Sequence, residues 1–167
     1  MYDDERAFSA EHGGAVWAPR ASGFTTAGAG IHDPSTTGQY VDPLVGIMSA
    51  LGRNPEAAQR FLSGGGTTTL EVDGVELEVG SRLTYLVVDR TWAAHGNPGD
   101  ALGSALAAAT TTFRVRDARG RTSAEIAGQT FALVGEQTGE GAEPWRGDQG
   151  RQMWAGMRVH VSQMLAS

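Results

Sequence analysis

Asp42-Pro43 and Asn54-Pro55, twelve residues apart with Gly52 between them, constrain this chain more than any other feature. Asp and Asn are N-cap residues, whose side chains accept the orphan N–H groups of a helix's first turn. Proline is preorganised for the first helical position. After the first start, Leu44, Ile47, Met48 and Leu51 recur at i, i+3, i+4 and i+7 and make one apolar stripe. Gly52 suits the left-handed position that closes a helix. The second start leads at once through Ala57, Ala58, Phe61 and Leu62. Two helices joined by so tight a turn predict an αα-hairpin.

Ser63-Gly64-Gly65-Gly66 breaks the helical pattern, and alternation replaces it. Leu70, Val72, Val75, Leu77 and Val79 alternate with acidic residues around Asp73-Gly74, a strong signal for a two-residue β-hairpin turn. The hairpin is expected over about residues 69–79, with one apolar face and glutamates on the other. Such a hairpin is marginal alone, so it must lie on the helices or on a partner. Ser81 then caps a helix carrying Leu83, Leu86 and Val87 toward Trp92. Asn97–Asp100 is a turn into a helix over 101–112 with the narrow stripe Leu102, Ala105, Leu106 and Ala109. Thr122-Ser123-Ala124-Glu125 has capping-box spacing after a turn at 117–121. The last helix runs from about Asp148 to Leu165, with Met153, Trp154, Met157, Val161, Met164 and Leu165 expected inward.

The fold class expected is mainly α, an irregular multi-helix bundle with one small β-hairpin. Residues 1–40 read as an irregular glycine-rich extension with a helical turn at Asp3–Phe8, and 41–167 as a single helical domain with the hairpin inserted. At 167 residues the chain suffices for one ordinary core. No apolar run reaches the roughly 18–20 residues of a spanning helix, so membrane insertion is not expected, and no signal-peptide pattern opens the chain. The expected location is cytoplasmic, or exported by a route that reads helical signals. A net charge of -6 argues against nucleic acid as a partner. All thirteen basic residues are arginine, in keeping with a GC-rich genome, and the lack of lysine removes Schiff-base and P-loop chemistry. The lack of cysteine removes disulfides and thiolate chemistry.

No cofactor or metal motif is present. The four histidines, His12, His32, His95 and His160, show no H-x-x-x-H spacing. Gly64–Thr69 lacks the Walker spacing. His95 alone lies in a loop between two predicted helices, where Asp89 or Asp100 could orient it toward Ser104 as a base. Two features point instead to binding. Trp154-Ala155-Gly156 is a W-x-G tripeptide, and Met157 lies on a methionine-bearing helical face that could adapt to a partner. Val75 and Leu77, on the hairpin's apolar face, are further candidates for contact with a partner.

Three blocks resemble an uncharacterised actinobacterial protein family. They are Asp42–Met48 with Ala50–Ala58 and Phe61, then Leu83–Trp92, then Asp100–Gly103 with Ala105, Leu106 and Ala108–Thr111. The resemblance spans the chain from about residue 1 to its end, and the acidic hairpin departs from the usual linker. It implies a helical fold and no assigned activity. It also implies a context downstream of helical segments like those of WXG100-type secretion partners. The expected function is a non-enzymatic helical scaffold or interaction module in a larger secreted or surface-associated assembly, engaging a protein partner or a homo-oligomer. The alternative is a hydrolase centred on His95. A third reading has residues 1–40 wrapping a neighbouring subunit.

Overall fold

The structure, a computed structural model, describes residues 2–12, 31–32, 40–72, 74–90, 92, 97–113, 116–138 and 148–166. Its two proline-led helices form where the caps place them. Asp42 accepts the Leu44 N–H at 3.0 Å and opens α2 (Pro43–Leu51). Asn54 accepts the Ala57 N–H at 3.1 Å and opens α3 (Pro55–Leu62). Gly52 does not take the left-handed conformation expected of it, having φ -58°. Its requirement is spatial: a Cβ there would stand 2.2 Å from the Ser104 hydroxyl.

Beyond α3, Gly65 and Gly66 adopt φ of +92° and +81°, which only glycine takes without strain. Gly65, with Gly64 before it, lies against Arg82, whose guanidinium donates to the Phe61 carbonyl at 3.1 Å at the C-terminal end of α3. Strands β3 (Thr67–Val72) and β4 (Val75–Gly80) then pair antiparallel, with Leu70 opposite Leu77 and Val72 opposite Val75. The pairing confirms the apolar face read from alternation. The ladder runs a little longer than expected, because the threonines before Leu70 also pair. A second short ladder, β1 (Ile31–His32) with β2 (Tyr40–Val41), was not foreseen. Neither was the length of α1 (Tyr2–His12), where only a turn was expected.

The segment after β4 departs most from expectation. Instead of one α-helix to Trp92, α4 (Ser81–Thr84) passes into a π-helical turn, Tyr85–Asp89, and the chain becomes extended at Arg90. The Arg90 N–H donates to the Tyr85 carbonyl at 2.8 Å, closing that wider turn. Helix α5 (Pro98–Thr111) comes next, with Asn97 as its cap, and is buried along nearly its whole circumference. It is the central element, packed by α2, α3, α6 (Ala118–Thr138) and α7 (Asp148–Leu165). Its buried Thr110 hydroxyl bonds the Leu106 carbonyl, so that hydroxyl is not stranded.

Helix α6 begins four residues before the expected capping box. Asp117 accepts the Gly120 N–H at 2.9 Å and serves as the real cap. Ser123, read as part of the box, instead donates to the Ala109 carbonyl of α5 and accepts from buried Gln59 of α3. On α7, Met153, Met157, Val161 and Met164 face the core as expected. Leu165 does not. It is 69% exposed, because the inward stripe ends with Met164 and the helix terminates there. None of the helices of the described residues is long and apolar enough to cross a membrane.

Candidate functional site

Burying a charge is costly unless it is paired and fully hydrogen-bonded. One cluster of this chain meets that condition with residues drawn from three remote stretches. Arg90, at the end of the π turn, donates through both terminal nitrogens to the Asp42 carboxylate at 2.7 and 2.9 Å. Its Nε donates to Glu5 Oε1 of α1 at 2.6 Å. The Tyr85 hydroxyl donates to the same oxygen at 3.1 Å. All three charged side chains are almost wholly buried. The guanidinium lies over the Trp92 ring, 4.1 Å from its centroid, and the Trp92 indole N–H donates to the Leu86 carbonyl. Burial opposes the charge on Arg90, but the hydrogen bonds to Asp42 and Glu5 outweigh it and raise its pKa further. Asp42 thus acts twice, as the cap of α2 and as the partner of Arg90.

The cluster depends on the local fold. A π turn adds one residue to a helical repeat and so rotates the chain beyond it relative to an α-helical path. Here it precedes the extended residue from which Arg90 reaches the start of α2.

The β3–β4 hairpin is the second feature. Val79, at its base, is fully buried, whereas Val75 and Leu77 on the same face are 57% and 36% exposed. On the opposite face Glu71 stands directly across from Glu76. Residues 67–80 carry no basic side chain. Gln129 of α6 accepts the Gly80 N–H at 3.1 Å and fastens the hairpin's root, leaving the tip projecting.

The third is a surface pair. His160 Nε2 lies 2.9 Å from Asp100 Oδ1, joining α7 to the first turn of α5.

A family model described as a family of unknown function (DUF6571) matches residues 5–167. The chain belongs to that family. No curated protein matches it, and no solved structure does.

The candidate positions of this DUF6571 chain fall in different places. His95 lies outside the described residues. Asp100, expected beside it, engages His160. Asp89 ends the π turn, exposed; partial burial pushes its carboxyl up, and the positive charge of Arg6 on α1 pulls it partly back. Among the described residues no hydrogen bond joins Asp89 to Asp100. Trp154 is half-buried against the core, and Met157 is fully buried, so Met157 packs the interior rather than a contact surface. Gly156 of the W-x-G tripeptide is a packing glycine, since a Cβ there would stand 2.5 Å from the Asp100 backbone nitrogen. Of the binding positions read from the sequence, Val75 and Leu77 are the exposed ones. Among the described residues, no group of three or more His, Asp or Glu could hold a metal ion. Glu5, Tyr85 and the Arg90 contact with the start of α2 escaped sequence reasoning, since no local motif marks them.

Asp89 gives a pH test. A carboxyl whose folded pKa lies above its unfolded one binds protons better in the fold, so stability falls as pH rises through that interval above about 4. Asp89→Asn is therefore expected to raise the melting temperature slightly at pH 7, by no more than about 2 °C, and to leave it unchanged at about pH 3. Thermal melts at the two pH values check this.

Proposed function

We propose that this chain is a non-enzymatic helical interaction module that engages a protein partner through the exposed apolar face of its β3–β4 hairpin. The observation that carries this reading is the gradient along one face. Val79 is covered by the chain's own helices, while Leu77 is partly and Val75 more than half exposed. A two-stranded sheet gains stability from a third layer or strand, and here that cover thins from Val79 through partly buried Leu70 toward Val75 at the turn. The glutamates on the other face make the charge of the contact explicit. Like charges directly across a ladder repel, and a partner with arginine or lysine at its rim would relieve that repulsion. A second copy of this hairpin would add to it.

The resemblance to actinobacterial proteins found with WXG100-type segments supports placing the module in an exported or surface-associated assembly. The hydrolase alternative has less support: of the two carboxylates that could orient His95, Asp100 already engages His160.

The Val75→Asp/Leu77→Asp double variant tests the reading. Both positions are exposed, so each change is expected to alter stability by only about 0.5 kcal/mol. Partner capture from host lysate and medium, quantified against wild type, is expected to fall at least roughly tenfold, as loss of an anchoring apolar contact would give. A folded double variant that captures the same protein at wild-type level overturns the assignment of the hairpin.

A further inference from the structure

The Glu5 site is built like a receptor with its ligand in place. Arg90 spends two nitrogens on Asp42 and stacks on Trp92, so its remaining Nε–H is fixed whether or not Glu5 is present. The Tyr85 hydroxyl converges on the same point. Donors held in place beforehand lose little freedom when they bind. The ligand side is different. Of the α1 residues whose side chains are described, Asp3, Asp4, Arg6, Ala7, Phe8 and Glu11 are exposed, and only Glu5 is buried. An eleven-residue helix is marginal in water by itself. Among its described side chains, Glu5 is the one buried anchor on the body.

We propose that Arg90 and Tyr85 form a binding site for a carboxylate-bearing helix, and that α1 of a second copy of this chain exchanges with the resident α1 there. The match is two-fold. Glu5 meets Arg90, and the positive charge of Arg6 acts on Asp89, so a consecutive acid–base pair on the helix answers a consecutive acid–base pair on the body. Helix α1 is the sequence that fits. Chain length permits the exchange: residues 13–30, between α1 and β1, can span about 60 Å when extended. A domain of this size is about 40 Å across. The inference is independent of the hairpin reading.

The test uses the full chain and a fluorescein-labelled peptide of residues 1–12, monitored by fluorescence anisotropy. Wild-type chain is expected to bind the peptide weakly, because its own Glu5 competes from a short tether. Glu5→Gln chain, with its site vacated, is expected to bind at least roughly tenfold more tightly. Adding Tyr85→Phe to that variant should weaken binding roughly threefold to tenfold, and a peptide carrying Glu5→Gln should not bind. Equal affinity for wild type and Glu5→Gln, binding to neither, or undiminished binding of the substituted peptide overturns the proposal. If Glu5→Gln chain does not fold by circular dichroism, the site is tested intact. The chain has no cysteine, so an introduced Ala7→Cys takes a single label. Donor- and acceptor-labelled copies are then mixed. Energy transfer that rises with concentration and is abolished by excess peptide supports exchange; its absence overturns it.

Discussion

Arg90→Met is expected to remove about 3–5 kcal/mol of stability. The reason is what it leaves behind. The Asp42 carboxylate is completely inaccessible and Glu5 nearly so, and each would keep a negative charge without its cation. Typical domains are stable by about 5–15 kcal/mol in total, so the loss takes a large share. A urea titration should show a lower midpoint at unchanged slope. Arg90→Lys should fall between, because an ammonium keeps the charge but cannot reach Asp42 bidentately and Glu5 at once. The decisive comparison is Arg90→Met combined with Glu5→Gln and Asp42→Asn. Neutralising the stranded acids should recover much of the loss, since Asn still caps α2. A cost below about 1 kcal/mol for Arg90→Met alone would mean that the cluster does not hold the fold.

Where the sequence was readable, one residue type had one local task. Asp42, Asn54 and the turn at Gly74 act on their immediate neighbours, and each element formed as the local chemistry required. The same logic misread Thr122–Glu125. Its capping-box spacing is real, but Asp117 offers an earlier cap, and Ser123 bonds α5 and α3 instead. Tertiary contacts thus overrode a local signal. The exit of Leu165 from the core has a similar cause, since period alone does not say where a helix stops having a neighbour.

The Glu5–Arg90 contact was illegible for another reason. The partners are 85 residues apart, and no local pattern marks Glu5 among the acids of α1. Nor does any pattern distinguish a π turn from the α-helix expected over the same apolar spacing. Val75 and Leu77 were legible as a hairpin face. Their exposure was not, because alternation says which side chains share a face and nothing about what covers it.

Glycines on α5 and α7 show the same division, and they carry the second large effect. Gly99 and Gly103 are spaced to share one face of α5. A Cβ at Gly99 would stand 2.2 Å from the Met153 carbonyl oxygen of α7, and one at Gly156 would stand 2.5 Å from the Asp100 nitrogen of α5. The obstacles are backbone atoms, which no rotamer change can move aside. Gly99→Ala is therefore expected to cost about 3 kcal/mol as α7 is pushed off its seat, against the roughly 0.5–1 kcal/mol that alanine gains in a helix. Gly128→Ala, on the exposed side of α6 with nothing within 4 Å of its Cβ, should show that gain alone and stabilise the chain. The same chemical change thus has opposite signs at two helical glycines. Gly99→Ala with Gly156→Ala should cost less than the sum of the two, because a displacement that clears one clash helps clear the other. Additive losses, or a stabilising Gly99→Ala, would show that α5 and α7 are not in backbone contact at this crossing.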